Sequence, residues 1–123
     1  MKLLTMVLIV CALLAAGIVN AGPGFENRCG WVNNPTPGNW DLTDKDGTWI
    51  IGTQGGAQAE GDLPEFPEDV SHWKKTNGSH GYGCACLSVK VDRGEKRVLQ
   101  IESGKVLPLK QCRMDSTLKQ EGR

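Results

Sequence analysis

The first 21 residues limit what this chain can fold into more than any other feature, because they decide how its cysteines are used. Lys2 is followed by an apolar run over residues 3–19, and in the triplet 19–21 Val19 and Ala21 place apolar and small residues at the positions that a signal peptidase reads. We predict that residues 1–21 are a cleaved signal peptide, that the mature protein begins at Gly22 and that Cys11 is removed. Four cysteines then remain in an oxidising compartment, where even numbers of cysteines pair: Cys29, Cys84, Cys86 and Cys112.

Length and charge exclude several classes of protein. Without the leader, the 123-residue chain has room for one domain and not for two. We assign residues 22–113 to a disulfide-stabilised β domain and residues 114–123 to a polar, loose C-terminal tail. The 14 basic and 14 acidic residues leave no basic excess for nucleic acid. The sequence has no second apolar segment, so we expect no membrane insertion after the signal peptide is cleaved. We therefore expect a periplasmic or secreted protein.

The clearest strand pattern lies in the second half of the chain. Apolar and polar residues alternate over residues 84–92, which predicts a strand with one apolar face. A turn at residues 92–95 leads to a returning strand over residues 98–102. A second turn at residues 103–105 then leads to a short strand over residues 106–109, which Pro108 limits to an edge or ends.

The first half of the chain is richer in turn residues. The Asn, Pro and Gly residues of 33–39 predict a turn. Residues 40–51 predict a β-hairpin with Gly47 in its turn, residues 52–62 predict a loop, and residues 68–73 leave room for one helical turn. We predict a mainly β fold, a small antiparallel sheet or curled barrel-like meander with at most one short helix, stapled by two disulfides.

The connectivity of the disulfides is open at the level of sequence. Cys84 and Cys86 lie two apart on the predicted strand, so their side chains share a face with Cα atoms ~6.6 Å apart and a mutual bond would be strained. Each cysteine therefore reaches elsewhere. We favour Cys29 with Cys84 and Cys86 with Cys112, and the swapped pairing stays open. Either pairing requires the chain to reverse near Pro108 or the sheet to curl.

Catalytic and metal motifs are weak in this sequence. The surroundings of Cys84 and Cys86 lack the cations of a redox-active pair, and only His72 and His80 are available beside the cysteines as zinc ligands. Ser71 and Ser79 each precede a histidine, but neither stands in a Gly-x-Ser-x-Gly elbow. We predict no enzyme, no metal and no cofactor.

Aromatic residues are the stronger functional signal. The mature chain carries four tryptophans and one tyrosine, whose default use is to fill a small core. The alternative is that one or two rings are exposed on the glycine-rich face and bind a ligand or partner. Trp31 and Tyr82 are the candidates for these exposed rings, because each lies near a cysteine that fixes the backbone and beside a glycine that lets a ligand approach. The glycine-rich loop contributes the rest of the candidate binding surface: Gln58, Glu60 and Asp62.

Five stretches of the chain carry a resemblance to a known family: residues 26–31, 34–37, 46–49, 55–62 and 76–87. On these residues, which include the Cys-Ala-Cys triplet at 84–86, the chain resembles an uncharacterised family of small exported proteins of Gram-negative bacteria, a domain of unknown function. The resemblance implies a periplasmic location. It implies no catalytic residue.

These observations favour a non-enzymatic periplasmic binding protein of the inhibitor or adaptor type, whose partner is a periplasmic protein or an envelope component. The alternative is a binding module for carbohydrate or peptidoglycan fragments that uses exposed Trp or Tyr rings. A structural envelope protein and a hydrolase are the remaining alternatives. An inhibitor should show a protruding loop or an acidic patch, whereas a sugar binder should show coplanar rings beside a shallow groove.

Overall fold

The structure is a computed structural model that describes residue 22 and residues 24–120 of the chain. The predicted signal peptide, including Cys11, lies outside the described residues. Within the described part of the chain, no helix is long and apolar enough to span a bilayer.

The fold is mainly β, as predicted. Over the described residues it comprises six strands followed by one short helix: β1 (Glu26–Thr36), β2 (Asn39–Asp44), β3 (Gly47–Gly52), β4 (Trp73–Asn77), β5 (His80–Asp92), β6 (Arg97–Leu107) and α1 (Leu109–Arg113). The β2–β3 hairpin was predicted, with Gly47 at the φ of 126° that its turn requires.

The sheet closes on itself to form a barrel. Its strand order is β1-β2-β3-β6-β5-β4, and β1 also pairs with β5 over nine residue pairs. Without β4, five strands therefore close in the order β1-β2-β3-β6-β5 and back to β1. The prediction of an antiparallel sheet is wrong at β3–β6, which pair in parallel at Ile50 and Arg97. The barrel itself assigns no ligand.

Two apolar clusters lie on opposite faces of β1 and β5. The barrel interior is filled by alternate residues of five strands: Val32, Leu42, Trp49, Ile51, Ala85, Leu87, Val89, Val98 and Ile101. The second cluster covers the outside of β1 and β5 and includes α1 and the C-terminal segment: Trp31, Tyr82, Cys84, Leu107, Leu109, Cys112 and Leu118. Both faces of the central parts of these two strands are therefore buried.

The disulfides join Cys29 to Cys86 and Cys84 to Cys112. The favoured pairing of Cys29 with Cys84 is therefore wrong, and the swapped pairing is the one observed. The cause is the β1–β5 register, which sets Cys29 directly opposite Cys86 with Cα atoms 4.0 Å apart. Pro108 ends β6, and α1 then folds back so that Cys112 reaches the outer face of β5.

Three predicted elements differ from the structure. The turn predicted at residues 33–39 shrinks to residues 37–38, because β1 continues to Thr36. The turn predicted at residues 103–105 is wrong, since β6 runs through it. Of the strand predicted at 106–109, β6 includes residues 106–107, and Leu109 begins α1. The helical turn at residues 68–73 is a hydrogen-bonded turn in which the Asp69 carbonyl accepts from two backbone N–H groups, and the helix lies at α1 instead.

The described part of the C-terminal tail is packed, contrary to its predicted looseness. Leu118 is buried in the outer cluster, and the indole N–H of Trp31 donates to the carbonyl of Lys119 at 3.1 Å. The tail thus covers β1 from outside, because the Trp31 ring offers an apolar surface for it to bury.

Candidate functional site

The long connection between β3 and β4 crosses one mouth of the barrel. β3 and β6 pair directly only at Ile50 and Arg97, and residues 58–60 fill the gap that follows. Ala59 N donates to Ile51 O at 2.8 Å on one side, and Ile101 N donates to Glu60 O at 2.7 Å on the other. The connection is therefore fixed to both strands before it reaches the mouth.

Two glycines allow the connection to enter the mouth. A Cβ atom at Gly83 would lie 2.5 Å from the Phe66 ring, and one at Gly104 would lie 2.7 Å from Pro64 Cδ. Neither contact is sterically possible, so only glycine admits Pro64 and Phe66 at these positions. The Phe66 ring consequently packs at the end of the barrel.

Beside Phe66 lies a groove of about 610 Å³, which we call the aromatic groove. Its walls are the half-buried rings of Trp40, Phe66 and Trp73. The centroids of Trp40 and Trp73 are 6.4 Å apart with their planes tilted by 48°, and those of Phe66 and Trp73 are 5.1 Å apart with a tilt of 47°. The Trp73 indole N–H donates to Ser79 O at 3.0 Å, which holds that ring in place.

Asn34 and His80 give the aromatic groove two ordered polar side chains. The Asn34 amide nitrogen donates to the carbonyls of Thr36 and Asn39 at 2.9 and 2.8 Å, so its Oδ1 atom is the acceptor toward His80 Nδ1 at 2.7 Å. A neutral His80 therefore carries its proton on Nδ1 and leaves Nε2 as an acceptor. Lys75 of β4 also lines the groove.

The rim of the groove belongs to a segment that we call the acidic loop, residues 60–70. Glu65 and Glu68 line the groove itself. The loop carries exposed carboxylates along its length: Glu60, Asp62, Glu65, Glu68 and Asp69. At its end, the side chain of Val70 is 92% exposed, the largest exposed fraction of any large apolar side chain among the described residues.

The Asp69 carboxylate orders the end of the acidic loop. Its Oδ1 atom accepts from Ser71 N at 3.0 Å, Ser71 Oγ at 2.6 Å and His72 Nδ1 at 2.8 Å. The Ser71 hydroxyl first, and His72 second, lower the pKa of Asp69 to about 2. In a catalytic triad the serine and the carboxylate lie at opposite ring nitrogens of the histidine. Here both meet His72 at Nδ1, so the cluster is a turn that holds Val70 outward.

Arg28 closes the opposite mouth of the barrel. Its guanidinium lies 2.7 Å from Asp44, 3.1 Å from Asp46 and 2.8 Å from Glu26, and it stacks 4.0 Å from the centroid of the Trp49 ring. Burial opposes the charged form, but the hydrogen bonds to Asp44 and Asp46 outweigh it and raise the pKa of Arg28. The charged groups at this mouth pair with one another, so their role is structural.

A polar recess of about 440 Å³ lies on the outside of β1, β2 and β3. Asn33 Nδ2 donates to Asp41 Oδ1 at 2.6 Å. Burial raises the pKa of Asp41, and hydrogen bonds from Asn33 and Thr43 partly offset the shift. Across the described ranges, no group of three or more His, Cys, Asp or Glu side chains has the arrangement of a metal site.

The structure separates the predicted binding residues into two groups. Trp31 is fully buried and Tyr82 is 7% exposed, so the expectation of exposed rings at these positions is wrong. The two rings pack edge to face at 5.3 Å under the C-terminal segment. Gln58, Glu60 and Asp62 are exposed on the connection that leads to the groove. Gln58 is also structural, since its Nε2 donates to the carbonyls of Gly38 and Thr53 at 2.9 Å each.

Sequence reasoning did not identify the three rings of the aromatic groove. A signal for Phe66 exists, because this apolar residue stands between two prolines in an acidic stretch and has no alternating pattern around it. For Trp40 and Trp73 the sequence offers no comparable signal, since exposure depends on what the rest of the chain leaves uncovered.

A family model described as "Protein of unknown function (DUF4087)" matches residues 24–119, which is almost the whole described chain. Neither a curated protein nor a solved structure matches the chain.

Proposed function

The chain belongs to the DUF4087 family of proteins of unknown function, and we propose from its own surface that it is a non-enzymatic binding protein of the inhibitor or adaptor type. Its partner is a protein, which binds at the acidic loop and the adjoining aromatic groove. The two features lie side by side at one mouth of the barrel and share Glu65 and Glu68.

The observation that carries this proposal is the position of Val70. An isolated exposed apolar residue needs no explanation. Val70, however, is 92% exposed and follows Asp69, whose carboxylate orders the turn after it. It lies two residues after Glu68 and three before Trp73, and both of these residues line the groove. Apolar and aromatic side chains surrounded by a polar rim are the usual anatomy of a protein–protein interface. The arrangement therefore supports binding of a protein surface.

A second candidate function is binding of a carbohydrate or peptidoglycan fragment in the aromatic groove. The half-buried rings of Trp40 and Trp73, with His80 and Asn34 as polar partners, favour it. Against it stands the tilt of 48° between the two rings, because a single sugar chain stacks best on faces that lie in one plane. We therefore place the protein partner first.

We also propose that the chain is exported, to the periplasm of a Gram-negative bacterium or beyond the cell. The leader pattern in residues 1–21 supports export. Two disulfides in a domain of this size are compatible with an extracytoplasmic location, since such bonds persist in oxidising compartments.

Site-specific photo-crosslinking tests the proposed function. A photoreactive phenylalanine analogue is placed at Val70 in the oxidised mature protein, which is then irradiated in an envelope extract. The same analogue at Ile50 is the matched control, because Ile50 is also an exposed apolar residue, at 37%, and pairs with Arg97 outside the acidic loop and the groove. We expect one discrete crosslinked protein from position 70 and none from position 50. The same products from both positions, or no protein from position 70, would contradict the proposal.

A further inference from the structure

We propose that the aromatic groove receives a cationic side chain, arginine or lysine, of the protein partner. This inference rests on the proposed function and names the chemistry of the group that the partner inserts. The cation would lie against the ring faces of Trp40, Phe66 and Trp73 and pair with Glu65 and Glu68.

The shape of the groove suits a compact cationic group. The faces of aromatic rings attract cations that lie within about 6 Å of the ring centroid. Trp73 is tilted by nearly the same angle, 48° and 47°, against Trp40 on one side and Phe66 on the other. Rings that meet at such angles form the sides of a wedge. A guanidinium or ammonium group can contact two ring faces of a wedge at once.

The charges at the rim also favour a cation. Glu65 and Glu68 line the groove, and neither forms an ion pair within the part of the chain that the structure describes. Lys75 lines the groove as well, but no cation–π contact in the described residues involves it. Two carboxylates against one ammonium leave the groove with an excess of negative charge. A basic group from the partner complements that charge.

The opposite mouth of the barrel shows the same combination with its cations in place. There the Arg28 guanidinium lies 4.0 Å from the centroid of the Trp49 ring, and Lys96 Nζ lies 4.3 Å from it. Asp44 and Asp46 pair with Arg28. The aromatic groove has the rings and the carboxylates of this arrangement but lacks the arginine.

NMR of the four tryptophan indole N–H groups tests the inference in the oxidised mature protein. The probes are the blocked peptide Gly-Arg-Gly and its citrulline counterpart, which has the same shape without the charge. We expect the arginine peptide to shift the signals of Trp40 and Trp73 and to leave those of Trp31 and Trp49, which are buried elsewhere. We expect the citrulline peptide to bind at least about tenfold more weakly.

Two double variants test the carboxylates. Glu65→Gln with Glu68→Gln should weaken binding of the arginine peptide by about five- to tenfold, because it removes both partners of the cation. Glu95→Gln with Glu102→Gln is the matched control, since it removes the same charge from exposed positions outside the groove and should leave the affinity unchanged. Unshifted Trp31 and Trp49 signals in the free variants report that the fold is intact.

Several outcomes would overturn the inference. These are equal binding of the citrulline peptide, equal affinities of the two double variants, and no shift of Trp40 or Trp73 with the arginine peptide at about 10 mM. A shift of the same two signals by diacetylchitobiose but not by the arginine peptide would assign the groove to a glycan. If these tests fail while crosslinking from position 70 still succeeds, the proposed function stands. Only the inference that a cationic side chain enters the groove is then overturned.

Discussion

Arg28 places a full positive charge in one mouth of the barrel with only 6% of its side chain exposed. Burial of a charge costs several kcal/mol unless the charge is paired and hydrogen-bonded. Asp44, itself 3% exposed, supplies the closest carboxylate, and the same Asp44 side chain accepts from the Trp49 indole N–H at 3.1 Å. The charges, the ring and the β2–β3 turn are thus interdependent.

We predict that Arg28→Met lowers the free energy of unfolding by about 3 kcal/mol, because it leaves Asp44 buried without its cation. Methionine keeps most of the volume, so the loss reports on charge more than on a cavity. Urea denaturation measures the change. Lys45→Met is the control, since Lys45 is 66% exposed and its pair with Asp46 lies at the surface. The control should change stability by less than about 1 kcal/mol, and an equally small effect of Arg28→Met would contradict the prediction.

Asp69 offers a prediction about pH. Its pKa in the folded protein is lowered to about 2, below the ordinary value of 3.8, chiefly by the Ser71 hydroxyl and then by His72. A lowered pKa means that the carboxylate form favours the folded state. This contribution is fully present above the unfolded pKa and is lost as the pH falls from about 4 toward 2.

Ser71→Ala should therefore raise the pKa of Asp69 toward 3.8, and His72→Ala should raise it by less. The carboxyl ¹³C shift of Asp69, followed by NMR from pH 6 to pH 1.5, gives the titration midpoint of Asp69 in the wild type and in each of the two variants. The assignment fails if wild-type Asp69 already titrates near its ordinary value.

Among the elements, the connection from β3 to β4 depends most directly on the space that glycines leave by lacking a side chain. Gly83→Ala should displace the Phe66 ring, because the added methyl group would lie 2.5 Å from it and 3.1 Å from His72 O. We expect a loss of about 1 to 3 kcal/mol in unfolding free energy and a change in Trp73 fluorescence, since Phe66 packs on Trp73. Unfolding curves and emission spectra measure both.

Gly56→Ala is the matched control for this substitution. A methyl group at Gly56 meets its nearest atom at 3.4 Å, an ordinary contact, and the loop around it is exposed. It should change stability by no more than about 0.5 kcal/mol. Equal effects of the two substitutions would show that Phe66 does not depend on the space at Gly83.

At this same scale, the elements that were predicted correctly are those that adjacent residues determine. The alternation in β5 and the hairpin of β2 and β3 were predicted, because adjacent residues determine them. β1 was not predicted, and its end was predicted as a turn, since Asn34 and Pro35 carry turn chemistry while pairing with β2 and β5 extends the strand. Gly104 resembles a turn residue, but it lies within β6 because it pairs with Leu87 of β5, and its missing side chain leaves the space that Pro64 fills.

The candidate site was harder to predict than the fold. Which tryptophans stay exposed depends on segments far away in sequence: the C-terminal segment covers Trp31, whereas nothing in the described chain covers Trp40 and Trp73 fully. The acidic loop was foreseen in Glu60 and Asp62, because charged residues in a glycine- and proline-rich stretch remain at the surface. The exposed rings beside the loop could not be predicted in this way, because their exposure depends on how the barrel is assembled.

For the whole molecule, the C-terminal segment is part of the domain. A chain ending after Arg113 should lose about 2 to 4 kcal/mol of unfolding free energy, from exposure of Leu118 and loss of the Trp31 hydrogen bond. A chain ending after Gln120 is the control, because it keeps both contacts. Urea unfolding of the two chains decides the question. Coincident midpoints would mean that residues 114–120 contribute nothing to stability.

Both disulfides join the rest of the chain to β5, at Cys84 and Cys86, and this has a mechanical consequence. Tension between the two ends of the oxidised domain would pass from Cys29 to Cys86, cross Ala85 to Cys84, and leave through Cys112. Residues 30–83 and 87–111 lie outside that path as closed loops. The aromatic groove belongs to the first loop, so a molecule held at one end and pulled at the other would keep its groove free of load.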